Sequence, residues 1–228
     1  MSIVYGGAKS DDFQLSEGEI YVPDGCYAMW RPDLEGAGAI LHDQVQSAHA
    51  AISGAVWVSG PNGPVLKFDG ADDYALVSGD QVGIGARTIE VLVYVNSIGA
   101  LSRLMDTGGG LQIATNLSGS DTKLHTSRNT SIYAATANVL VAQTWYHWVI
   151  ASTATGVTNI YVNGVLSGTA NQNAGTPVAG TGTWFFMRAD TARWFAGHLA
   201  LVRLYNKALT AGEVREAYYE VGPMVGLG

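Results

Sequence analysis

Apolar and polar residues alternate with a period of two through most of this chain from residue 65 onward. Between Arg87 and Val95, Ile89, Val91, Val93 and Val95 fall on one side and Glu90, Leu92 and Tyr94 on the other. Both sets are largely apolar, which predicts a central strand covered on both faces. Residues 145–153 repeat the pattern, with Trp145, His147, Val149 and Ala151 opposed to Tyr146, Trp148 and Ile150. Shorter runs at 65–68, 74–78, 101–106, 111–115, 123–127, 132–135 and 184–188 predict further strands. Residues 159–167 predict a hairpin, because Asn163-Gly164 supplies the two positive-φ positions of a type I′ turn. A last alternation sets Leu199, Leu201, Arg203 and Tyr205 against Ala200, Val202 and Leu204. Thr210 and Glu213 then stand at capping-box spacing, and Val214, Ala217, Tyr218 and Val221 follow at helical spacing. About a dozen short strands and one helix predict an all-β fold, an antiparallel two-sheet β-sandwich with one short C-terminal helix.

The first 64 residues are less regular. Residues 1–25 read as an N-terminal arm or an added strand, with Ile20, Tyr21 and Val22 before a Pro23-Asp24-Gly25 turn. Residues 26–64 carry Trp30, His42, Asp43 and Trp57 among turn residues and read as loop-rich. With no repeat and no linker after residue 25, residues 26–228 are expected to form one domain.

Composition narrows the partners. Charged residues make up only 14% of the 228, apolar residues 47%, so the chain can fill a large core and has little charged surface. The formal charge is −7 and the twelve cations are scattered, which excludes the basic stripe of a nucleic-acid groove. Cys26 stands alone, so no intrachain disulfide forms, and it is expected to be buried and inert. Nothing near Met1 reads as a signal peptide and no run is long enough to span a membrane, so a virion or cytoplasmic location is expected.

Five segments in this order resemble the laminin-G-like, concanavalin A-like jelly-roll family. They are Leu66-Lys-Phe-Asp-Gly-Ala-Asp-Asp-Tyr74, Thr88-Ile-Glu-Val-Leu-Val93, Trp145-Tyr-His-Trp-Val-Ile150, Ile160-Tyr-Val-Asn-Gly-Val165, and the stretch from Phe195-Ala-Gly197 to Glu213. The resemblance implies a two-sheet jelly roll whose faces and rim loops bind glycans or proteins. It also implies an acidic pair in a Gly-x-Ile-Asp-Glu-Val pattern. Here Ala200 and Leu201 replace both carboxylates. A Ca²⁺ site is expected to be lost, or reduced to structural Ca²⁺ near Asp69 and Asp73. Those two, with Asp72, read first as a tight turn.

The catalytic strand of the family's glucanase branch, Glu-x-Asp-x-x-Glu, is missing, and Glu90 has no second carboxylate at i+2 or i+4. The five histidines form no chelating pair, and His147 reads as a hydrogen-bonded sandwich residue. No enzymatic activity is therefore expected. Two stretches could present a ligand surface: Trp194 with Arg193 and Asp190, and Arg128 with Asn129. Two functional readings follow. One is a structural or adhesive phage virion component, a capsid decoration or tail accessory protein, with protein partners in a homo-oligomeric assembly. The other is a carbohydrate-binding module of a secreted or surface protein.

Overall fold

The computed structural model describes residues 2–6, 19–82, 85–98, 102–108, 111–115, 122–128, 131–137, 140–171, 181–186 and 193–228, with backbone alone at 2, 127–128, 131–134 and 184. Eighteen strands lie among the described residues. In chain order they are β1 (Ser2–Gly6), β2 (Glu19–Pro23), β3 (Cys26–Trp30), β4 (Ile40–Leu41), β5 (Ala50–Ser53), β6 (Val56–Gly60), β7 (Gly63–Asp69), β8 (Tyr74–Ser78) and β9 (Arg87–Val95). They continue as β10 (Ser102–Asp106), β11 (Leu111–Thr115), β12 (Leu124–Arg128), β13 (Ser131–Ala135), β14 (Thr144–Ser152), β15 (Val157–Val162), β16 (Val165–Asn171), β17 (Gly182–Phe185) and β18 (Ala196–Tyr205). Helix α1 (Ala211–Val221) follows.

The expected sandwich is present. The first sheet runs β16-β15-β14-β9-β18-β7-β6, and the second β13-β12-β11-β10-β17-β8-β5-β4. One edge of the long strand β18 is shared end to end: β7 pairs with its start at Ala196–Leu199, and β3 with its end at Val202–Tyr205. The stretch read as loop-rich therefore holds β3 to β6. Its turn residues punctuate strands too short for alternation to reveal. Near the N-terminus, β1 pairs with β2 in parallel. Ile20 and Val22 of β2 are buried in the body of the protein.

Alternation on β9 and β14 holds as read. Ile89, Val91, Val93, Val95, Tyr146, Trp148 and Ile150 point between the sheets. There they meet Trp30, Phe68, Phe185, Phe186 and Phe195, with Phe68 stacked on Phe186 at 4.0 Å and Trp30 edge-on to Phe185 at 5.2 Å. On β18 the reading is corrected. A bulge between Leu199 and Leu201 puts Leu199 on the inter-sheet side with Val202 and Leu204. An extra residue opposite one partner shifts the parity of the strand.

A second core lies on the outer face of the first sheet, where Leu92, Val149 and Leu201 meet Val214 and Val221 of α1. The capping box is formed: the Glu213 amide donates to Thr210 Oγ1 at 3.3 Å, and the Thr210 amide donates to Glu213 Oε2 at 2.7 Å. Lys207 Nζ holds Glu213 at 2.8 Å and Asp24 at 2.7 Å, tying the helix start to the β2–β3 turn. The hairpin turn is also as read, with positive φ at Asn163 (49°) and Gly164 (76°). Cys26 is buried, and burial pushes its thiol up to about 12, so it stays protonated and inert.

Candidate functional site

The residues singled out from the sequence are not brought together. Trp194 is half-buried and its ring lies tilted over Tyr74 of β8, 6.2 Å away. Arg193 beside it is exposed, takes positive φ (68°), and accepts the Arg103 amide on its carbonyl at 2.8 Å. Arg128 ends β12, four strand positions from β8 in the second sheet, or roughly 19 Å at the usual strand spacing. Asp190 and Asn129 lie outside the described residues.

The aspartates after β7 form a turn. Asp73 Oδ2 accepts the Asp69 amide at 2.8 Å, and Asp69 Oδ1 accepts the Ala71 amide at 2.7 Å. One carboxylate oxygen from each of Asp69, Asp72 and Asp73 lies within 4.8 Å of the others. Burial raises the Asp73 carboxyl above its usual range, against the Asp69 amide, and the neighbouring aspartates raise it further. Ca²⁺ needs about six to eight oxygens. Two of the oxygens here already serve backbone amides, so the cluster fits a turn better than an ion. The Ala200–Leu201 position lies elsewhere. Asp69 pairs with Ala196, so Ala200 is four residues further along β18, about 13 Å away. The loss of an acidic pair there and the carboxylates of this turn are thus separate matters.

The outer face of the first sheet is divided into two ends. At one end, under α1, a charged group sits in the second core. Glu90 and His147 are fully buried and Arg203 nearly so. His147 Nε2 lies 3.0 Å from Glu90 Oε1, the Tyr205 hydroxyl donates to Glu90 Oε2, and Arg203 Nη1 stands 3.6 Å from Glu90 Oε1. Arg203 Nη2 reaches Glu220 of α1 at 2.8 Å. Burial alone would raise the Glu90 carboxyl, but Arg203 and the His147 and Tyr205 hydrogen bonds outweigh it and hold the group down at about 2. The expected sandwich role of His147 is thus realised. Glu90, His147, Tyr205 and Arg203 are sealed from solvent, and Arg203 reaches the partly exposed Glu220 to fasten α1 to the sheet.

At the other end the helix no longer covers the sheet. Register aligns Trp145 of β14 with Tyr94 of β9, Tyr94 with His198 of β18, and His198 with Lys67 of β7. All four point outward, because their strand neighbours at i±1 point between the sheets. The three rings are half-buried and form one surface: Tyr94 stacks on His198 at 5.1 Å, and Trp145 lies 5.4 Å from Tyr94 and 6.3 Å from His198. Burial and then the Lys67 charge push the His198 pKa below its ordinary value, so the imidazole is neutral at neutral pH. Lys67 and Asn96 border the rings and are exposed. Such a surface offers a ligand the edges of two stacked rings and the tilted ring of Trp145, bordered by polar groups. Alternation already separated Tyr94 from the Ile89–Val95 side of its strand, and Trp145 from the Tyr146–Ile150 side of its own. The register that lines them up depends on pairings between distant strands.

Two antiparallel sheets packed as a jelly roll define a concanavalin A-like class of fold. Residues 69–215 match the laminin-G-type description of the concanavalin A-like lectin/glucanases superfamily, and the chain belongs to that family. No curated protein sequence matches it. Among solved structures, Trypanosoma rangeli sialidase in complex with sialic acid superposes with TM-score 0.67 at 18% identity, over 88% of this chain and 33% of that one. A T. rangeli sialidase mutant displaying trans-sialidase activity gives TM-score 0.67 at 18% identity, over 90% and 34%. Domain 4 of AbnA, an extracellular GH43 arabinanase from Geobacillus stearothermophilus, in complex with arabinotriose, gives 0.67 at 15% identity, over 84% of this chain and 97% of that domain. The chain spans about a third of the length of the sialidases it matches.

The expectation of a protein without enzymatic activity is corrected by this likeness, since chains sharing the fold include sialidases. A missing Glu-x-Asp-x-x-Glu strand excludes one arrangement of carboxylates and says nothing of others. Among the described residues no helix is long and apolar enough to cross a membrane.

Proposed function

We propose that this chain binds saccharides on the outer face of its first sheet, with a sugar ring packed against Trp145 and along the exposed edges of Tyr94 and His198. The observation that carries this reading is the row of three rings, left open where α1 ends. Tyr94 and His198 stack on each other, and Trp145 is tilted 59° to Tyr94, so Trp145 is the ring that can meet the apolar face of a pyranose or furanose, while hydroxyls at the sugar's edge find partners in the polar border. The bound arabinotriose of the AbnA domain, which this chain matches over nearly that domain's whole length, supports the reading. Trp145→Ala is expected to lower affinity for any bound oligosaccharide at least about tenfold in calorimetry. Trp194→Ala is expected to leave it within about twofold. The opposite pattern would move the site to the Trp194–Tyr74 surface and sink this placement.

A second reading, a phage virion component making protein contacts in a homo-oligomer, has support in β1. That strand pairs with β2 and carries exposed Ile3 and Tyr5, the latter 65% accessible. A strand with one open edge is a template for pairing with a neighbour. Since Ile20 and Val22 are core residues, the informative deletion removes residues 2–6 alone. Light scattering should then report a smaller assembly with an unchanged unfolding transition. An unchanged mass removes this reading.

A further inference from the structure

Lys67 gives the ring surface a chemical preference. Two other cations on this face are engaged, Arg203 with Glu90 and Glu220, and Lys207 with Asp24 and Glu213, and Arg215 is exposed on α1, away from the ring row. Lys67 is exposed and, among the described residues, has no carboxylate in ion-pair contact. Asp69, two residues along the same strand and on the same face, turns its Oδ1 to the amides of Ala71 and Asp72 at 2.7 and 3.4 Å. Its charge is directed into its own turn. On the other side, Lys67 is the direct cross-strand partner of His198, where side chains approach to about 5 Å at Cβ. The free ammonium therefore stands at the end of the row Trp145–Tyr94–His198.

Resting on the saccharide reading above, we propose that the preferred ligand is an anionic saccharide, whose carboxylate or sulfate meets Lys67 while the saccharide packs along the ring row against Trp145 and the edges of Tyr94 and His198. An ammonium offers three N–H donors, and a hydrogen bond to an anionic oxygen is roughly twice as strong as one between neutral groups. A neutral sugar leaves Lys67 to water and gains only the stacking. The chain as a whole carries −7, so long-range attraction does not favour an anion. Any acidic preference must come from this local contact, and added salt should weaken it.

The test is a glycan array carrying matched neutral, uronate and sulfated forms of the same oligosaccharides, followed by calorimetry on the best pair. Acidic members are expected to bind about tenfold more tightly than their neutral counterparts, and Lys67→Met should bring the two within about twofold. Binding by uronates alone, sulfates alone or both supports the inference and identifies the anion. Equal binding of neutral and acidic forms, or a preference that survives Lys67→Met, overturns it while the saccharide reading stands if Trp145→Ala still abolishes binding. No binder anywhere on the array overturns both.

Discussion

Glu90→Gln is expected to lower the free energy of unfolding at pH 7 by about 3–5 kcal/mol, the cost of breaking a buried ion pair from one side. Arg203 would remain buried with Glu220 as its remaining carboxylate, and His147 and Tyr205 would lose the charged acceptor they share. Urea unfolding of the two proteins measures the difference. Its pH dependence follows from the direction of the shift. The Glu90 carboxyl sits at about 2 in the folded protein against an ordinary 4.5. A depressed carboxyl stabilises fully above its unfolded value and loses that contribution as pH falls through the folded value. The gap between wild type and Glu90→Gln should therefore be constant above pH 4.5 and shrink from there toward pH 2. A gap that does not change across this window would mean that Glu90 is not held ionised by Arg203.

Gly197→Ala is the second large effect expected. A Cβ at this position would lie 2.1 Å from the Tyr94 carbonyl oxygen and 2.6 Å from Phe195 Cε1. The carbonyl belongs to β9, hydrogen-bonded on both sides, and Phe195 is held edge-on by Phe186 at 5.1 Å. Neither neighbour can yield cheaply, so a loss of about 3 kcal/mol is expected, the upper part of the range for overpacking. The same shift would part Tyr94 from His198, which follows Gly197 directly. Saccharide affinity should fall even under conditions where the variant remains folded. A variant as stable as wild type, binding as wild type binds, would show that β9 and β18 can separate here without cost. Close approach of two backbones is why a glycine occupies this strand, and it is also what allows Tyr94 and His198 to stack.

Much of the architecture was legible before any coordinates. Alternation located β9 and β14 and grouped the residues of each face correctly, because successive side chains of an unbroken strand point to opposite faces. Asn163-Gly164 and Thr210–Glu213 were legible because a turn and a cap are local chemistry, completed within a few residues. The strands β3 to β6 were less so, since two to five residues hold too few periods to stand out from turns. Leu199 was assigned to the wrong face because a bulge shows no local signature when the flanking residues are all apolar.

The candidate site divides in the same way. Glu90 reads as an isolated carboxylate along its own strand. Its partners Arg203, Tyr205 and His147 come from two other strands, and Glu220 comes from the helix, linked through Arg203. The sequence singled out Trp194 because polar residues surround it in the chain. The tertiary structure gathers Trp145, Tyr94, His198 and Lys67 instead, one from each of four strands.

By itself, then, the sequence determined the class of fold, the faces of β9 and β14, the hairpin and the capped helix. Each follows from periodicity or from contacts a few residues apart. Only the tertiary structure decided which outward residues share a row and where α1 stops covering them. Register between distant strands carries that information, and a slip of one residue would turn every ring of the platform inward.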